Sequence, residues 1–161
     1  MERRSVLLLA AVVVVAALAG SVGAACPSGF QPLPYGACVK LWSWDNPNNP
    51  SWDIASEACK KEGGQLISLD TPEKMQQFST HVFGVGDPWR SYFYCVGATK
   101  TESGWRWLNG AELSSRSYMW YPGDPDGIYT QAHIVSYSNH PRHYISPGND
   151  CTAAACETNQ I

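Results

Sequence analysis

All six cysteines of this chain, Cys26, Cys38, Cys59, Cys95, Cys151 and Cys156, lie beyond an N-terminal segment with the grammar of an export leader. An even cysteine count in an exported chain reads as a disulfide framework, because the secretory route is oxidising. Six cysteines allow fifteen pairings, and the residues alone leave all of them open. The leader itself is legible. Arg3 and Arg4 make a short basic start, residues 6–19 are an unbroken apolar run, and Gly20 and Ser21 follow. Val22-Gly23-Ala24 fits the small-residue rule for signal peptidase, so residues 1–24 are expected to be a signal peptide. The other reading is a membrane anchor. An apolar helix of that length, at ~1.5 Å per residue, falls short of the ~30 Å hydrocarbon core. No other long apolar stretch follows, so the expected product is secreted, extracellular and without a membrane span.

Residues 25–161 then form one domain with one core. The whole chain carries a formal charge of −3, and the leader contributes one net positive charge, so the remainder carries −4. With no basic stripe, nucleic acid is not an expected partner. No Asn-x-Ser/Thr acceptor with a permitted middle residue occurs, so N-glycosylation is not expected.

The secondary-structure signals indicate a mixed α+β chain. Ser51 is an N-cap for a helix to about Glu62, with Gly63 as its stop. Trp52, Ala55, Ala58 and Cys59 share one face of it at helical spacing. Thr71-Pro72-Glu73 supplies a cap, a proline at the first helical position and an early acid, opening a second helix to about His81. Strands are expected at 37–41, 92–97, 105–107, 132–137 and 153–157. Between Gly110 and Gln131 lies a long stretch rich in Gly, Pro, Asp and Ser, a length of loop that is usually functional or disordered.

A series of separated residues adds a family resemblance. In order they are Trp52, Ala55, Cys59, Gly63, Gly64 and Leu66; Gly97, Ala98, Gly104, Trp105, Trp107, Leu108 and Gly110; Trp120, Gly123 and Pro125; and Asn149, Asp150, Cys151, Cys156 and Glu157. Over about Cys26 to Glu157 the chain resembles the C-type lectin-like domain. The resemblance implies an α+β fold of two helices, small antiparallel sheets and a long loop region, stapled by disulfides. It implies that Cys26 and Cys38 close an N-terminal hairpin. It also implies that Cys59 on the first helix pairs with Cys156, closing about a hundred residues and contributing roughly 4–5 kcal/mol in the chain-entropy model. Here the chain departs from the family, whose partner for the Cys151 position lies on the strand at 133–137, where this sequence has no cysteine. Cys95, one strand earlier, is left to pair with Cys151.

The same resemblance implies a calcium site. In the family a proline flanked by two oxygen-bearing side chains forms part of it, and Asp124-Pro125-Asp126 is such a triplet. Calcium takes six to eight oxygens at ~2.3–2.6 Å. A cis peptide before the proline would aim both flanking side chains the same way. The alternative is plain turn chemistry, which Asp-Pro-Asp-Gly also favours. Gly148-Asn149-Asp150 resembles the family's Trp-Asn-Asp segment, with Gly148 in place of the tryptophan and Cys151 too close behind Asp150. Counting back from Cys156 without a gap puts His143-Tyr144-Ile145 there instead, which supplies no calcium ligands. The expected metal ligands are Asp124, Asp126, Asn149 and Asp150. A third acid, expected at the entrance to the 133–137 strand, is replaced by Gln131 or Ala132. Sugar contact is expected at the same four residues, with Tyr129 as a stacking ring or simply a surface tyrosine. Two ionised acceptors and no donor in the triplet leave the sugar class open.

Of the seven tryptophans, Trp52, Trp105, Trp107 and Trp120 are expected in the core. Trp42, Trp44 and Trp89 read as loop residues, one of them a possible sugar platform. His133, His140 and His143 match no zinc-hydrolase spacing, and no Gly-x-Ser-x-Gly elbow occurs, so they read as solvated loop histidines and the chain as no enzyme. The reading is a secreted carbohydrate-binding lectin, calcium as its cofactor, with a carbohydrate or glycoprotein partner. The rival is a calcium-independent module that binds a protein ligand.

Overall fold

The C-terminal strand, an alanine-rich segment, lies at the centre of the architecture. A computed structural model describes residues 25–44, 51–86, 92–136 and 143–159. The leader at 1–24, Trp89 and His140 lie outside the described residues. The elements run β1 (Gln31–Pro32), β2 (Ala37–Ser43), α1 (Trp52–Lys61), β3 (Gln65–Leu66), α2 (Pro72–Val85), β4 (Tyr94–Thr101), β5 (Gly104–Trp107), β6 (Gln131–Ser136), β7 (His143–Pro147) and β8 (Ala153–Asn159). The strands form one sheet in the order β1-β2-β8-β4-β6-β7, with β3 on β8 and β5 on β4. β8 runs parallel to β4, whereas the other ladders are antiparallel.

The run Ala153, Ala154, Ala155, Cys156 shows no apolar–polar alternation because both of its faces are covered. Ala153 and Ala155 join a large core with Ile67, Leu69, Phe78, Tyr94, Val96, Trp105, Trp107 and Ile145. Ala154 and Cys156 turn the other way, into a smaller core with Trp52, Ala55, Cys59, Leu66, Cys95 and Cys151. The period of two that sends Tyr94 and Val96 to one core and Cys95 to the other is the ordinary strand alternation.

α1 begins where its cap predicts. Ser51 Oγ accepts from the Ile54 N–H at 3.4 Å, and Lys60 and Lys61 occupy the last turn. Its buried face is Trp52, Ala55, Ser56 and Cys59; Ala58 is only half-buried. Trp52 Nε1 donates to the Val96 carbonyl at 2.7 Å, pinning the helix to β4. α2 also begins at its cap, with Thr71 Oγ1 accepting from the Lys74 N–H at 3.2 Å. It runs past His81 to Val85, because Val82 prolongs the buried stripe of Met75, Phe78 and Ser79. Gly86, at φ 91°, is the actual stop.

The three disulfides are Cys26–Cys38, Cys59–Cys156 and Cys95–Cys151. Cys95 pairs across the β4/β6 ladder with His133, so the cysteine absent from β6 has its counterpart on the neighbouring strand. Trp52, Trp105, Trp107 and Trp120 are buried as expected. Trp42 is not in a loop: it lies within β2, opposite Ala154, where its ring packs on the smaller core. β1 and β2 pair as the hairpin expected between Cys26 and Cys38, whereas β7 and the two-residue β3 have no counterpart among the expected strands. The sequence His143-Tyr144-Ile145-Ser146-Pro147 carries no strong local strand signal; its pairing with β6 makes it a strand.

Candidate functional site

Residues 108–130, between β5 and β6, contain no helix or named strand. The first part is docked rather than loose. Leu113, Met119 and Trp120 are buried, Trp120 Nε1 donates to the Ser114 carbonyl at 2.9 Å, and its ring meets Trp105 edge-on at 5.0 Å. Backbone bonds from Ile145 N to Met119 O and from Tyr121 N to Ile145 O, both 2.8 Å, then stitch the loop to the outer edge of β7. The second part projects. Ile128 is 90% exposed, and Tyr129 lies on the surface.

Asp124-Pro125-Asp126 sits at this transition, bracketed by Gly123 at φ 103° and Gly127 at φ 87°, with the Asp124–Pro125 peptide cis. The Asp124 N–H donates to the Tyr121 carbonyl at 2.8 Å. Its Oδ2 accepts from Ser146 Oγ at 2.7 Å. Asp126 is exposed. Ser146 lies on β7 one residue after buried Ile145 and two after Tyr144, whose ring meets Tyr121 edge-on at 6.1 Å. The side chain that β7 offers to the acidic triplet is therefore a serine hydroxyl. The sequence reading named neither Ser146 nor the Tyr121–Tyr144 pair; the alternation of buried His143 and Ile145 with Tyr144 and Ser146 was the available signal.

Gly148, Asn149 and Asp150 follow the end of β7. Asn149 and Asp150 are exposed, and their backbone serves the start of α1: the Trp52 N–H donates to Asn149 O at 2.6 Å, and Asp150 bridges to Ser51. Gly148 donates its N–H to Gln131 O at 2.9 Å. A Cβ at Gly148 would fall 2.6 Å from Nδ1 of His133, so the His133 ring fills the space that a side chain there would need. That ring stacks on Phe93 at 5.7 Å. Burial pushes the His133 imidazole down, opposed by a bond to the Asp150 backbone and by the charges of Asp124 and Asp150. Both acidic segments thus face the same histidine. Among the described residues, however, no three His, Cys, Asp or Glu side chains gather closely enough to hold a metal ion. The entrance to β6 carries Gln131, whose Oε1 accepts from Thr130, so it adds no carboxylate.

The histidines correct an expectation. His133 and His143 are strand residues, and neither is a solvated loop group. His143 is 4% exposed, flanked by Phe78 and Phe83 at 5.9 and 5.8 Å, and burial pushes its pKa down to about 4. Its Nδ1 lies 2.8 Å from Ser79 Oγ, while Nε2 is buried without a partner, so no acid completes a catalytic triad there.

The Lectin C-type domain model matches residues 48–158, more than half of the chain. The chain belongs to the C-type lectin domain family. C-type lectin domain family 10 member A of Rattus norvegicus is 25% identical over 129 residues, which are 80% of this chain and 38% of that protein. Asialoglycoprotein receptor 1 of the same species is 24% identical over 132 residues, again 38% of its length, so the chain spans about two fifths of these curated relatives. The structure resembles the C-type lectin domain of murine dendritic cell inhibitory receptor 2, solved with an N-glycan, at TM-score 0.64 and 17% identity over 84% of this chain and all of that one. A calcium-independent type II antifreeze protein matches about equally, at TM-score 0.63 and 20% identity over 86% of this chain and 97% of that one. At such identities these likenesses show the fold alone. Two helices, an antiparallel-rich sheet and three disulfides are the fold of this lectin family in the present chain. Among the described residues no helix is long and apolar enough to cross a membrane.

Proposed function

We propose that this C-type lectin domain is an exported carbohydrate-binding module and not an enzyme, and that its glycan contact lies where the 108–130 loop meets β7. The observation that carries the reading is the Asp124 carboxylate, held by Ser146 Oγ at 2.7 Å beside the Tyr121–Tyr144 pair. A carboxylate fixed in direction accepts from sugar hydroxyls without reordering, and tyrosine offers an apolar face with a polar edge. Binding in this reading does not need calcium. Its support is the serine on β7 beside the triplet and Gln131 at the mouth of β6, where a carboxylate is missing. The domain of a calcium-independent relative with this fold is a precedent for the architecture alone.

A second reading keeps the ion. Asp124 and Asp126 flank one proline, Asp124 and Asp150 both act on His133 of β6, and Asp124, Asp126, Asn149 and Asp150 together would supply the oxygens that calcium prefers. An array of glycans probed in calcium and in chelator separates the two. The first reading expects equal binding in both and its loss in Asp124→Asn. Binding abolished by chelator, together with a calcium-dependent rise in melting temperature, would establish the second. Absence of any glycan binding would sink both and leave a protein ligand.

A further inference from the structure

A groove of about 550 Å³ lies between α2 and β7. Met75, Gln76, Thr80, Tyr118, Tyr144 and His143 are among the residues that line it. The decisive property is charge: no lining residue is an acid, a lysine or an arginine, and burial keeps His143 neutral at physiological pH. A charged ligand would be desolvated here with no counter-charge.

The lining nonetheless has hydrogen-bonding capacity. Gln76 and Thr80 are exposed on α2, and Thr80 already donates to the Gln76 carbonyl at 2.9 Å, leaving the threonine oxygen as an acceptor. Ser79 Oγ donates to the Met75 carbonyl at 2.8 Å, so its oxygen accepts from the Nδ1–H of His143. That tautomer makes Nε2 of His143 a bare acceptor, buried and without a partner, on a residue 4% exposed. Tyr118 stands over the rim, 74% exposed, a large aromatic face with no visible structural duty. An aromatic face with amide and hydroxyl groups, all uncharged, is what a neutral polyhydroxylated ring requires.

We infer that the α2/β7 groove is a second binding subsite, for a neutral sugar residue, and that it works without a metal ion. Tyr144 lines the groove and Ser146 holds Asp124 two residues on, so the two sites are roughly 7 Å apart along one strand edge. A neutral oligosaccharide could occupy both, and its second contact would then be intramolecular. The inference rests on the carbohydrate reading above; Tyr144 is common to both places, so Gln76, Thr80 and Tyr118 are the residues that mark the groove.

The test is a nitrogen-15 NMR titration of the chain lacking residues 1–24, in chelator, with N-acetylglucosamine, galactose and mannose in turn. At least one is expected to shift the amides of Gln76, Thr80 and Tyr118. Tyr118→Ala and Gln76→Ala alter exposed positions, so folding is not at stake, and Tyr118→Ala should weaken that binding roughly three- to tenfold. A sialic acid, which carries a carboxylate, should leave these amides unmoved. If sugar shifts only Asp124, Asp126 and Ser146 and Tyr118→Ala changes nothing, the subsite is wrong while the carbohydrate reading stands. If no sugar shifts any amide in chelator, the subsite and the calcium-free reading both fall, and the calcium-dependent reading is judged by the same titration in calcium.

Discussion

Acidification should destabilise this domain through His143, and the size of the effect can be worked from its surroundings. The imidazole is 4% exposed between two phenylalanine rings, with Ser79 Oγ hydrogen-bonded to its Nδ1. Burial lowers its pKa to about 4, against about 6.5 in an unfolded chain. The folded-state value is the lower one, so the unfolded chain binds a proton first as pH falls. The neutral ring costs nothing above pH ~6.5. Stability then drains away between about pH 6.5 and 4, at up to about 1.4 kcal/mol per pH unit, for a total near 3 kcal/mol. His81 and His133, also lowered by burial, act in the same direction, whereas Glu157, raised by burial, is relieved of its penalty as pH falls. A comparison of wild type with His143→Gln cancels these shared groups. Urea unfolding at pH 7 and pH 4 should show a loss in wild type about 3 kcal/mol greater than in the variant, whatever the variant's own cost at pH 7. Equal losses within about 0.5 kcal/mol, or a His143 ring titrating near 6.5 by NMR, would refute the burial argument.

Three other outcomes are expected. Gly148→Ala places a methyl group on the His133 ring and should cost about 1–3 kcal/mol in urea unfolding, where a surface glycine would cost far less. Replacing both Cys59 and Cys156 with alanine opens a link across 97 residues and should remove roughly 4–5 kcal/mol, read as loss of a cooperative melt at 37 °C; an unchanged melting temperature would contradict the chain-entropy account. The basic start, apolar run and Val22-Gly23-Ala24 predict a secreted product whose intact mass begins at Ala25, and a cell-bound product retaining the leader would rule that out.

Local chemistry was readable wherever it acts within a few residues. Ser51 and Thr71 declared their caps, Pro72 the first turn, and Gly63 the end of α1, because capping joins groups three or four positions apart. Cysteine parity announced three bridges, and the spacing of the tryptophans and glycines carried the family. What only the tertiary structure decided depends on strands far apart in sequence. β7 exists through its ladder with β6, and this is what brings the Ser146 hydroxyl to Asp124. His133 opposite Cys95, with its ring over Gly148, accounts at once for a bridge displaced by one strand and for a glycine where the family carries tryptophan. The burial of His143 likewise needed α2, β7 and the loop brought together. A histidine's local sequence carries no record of the surfaces that will close over it, so solvent exclusion, and the charge state it sets, belongs to the fold and not to the string.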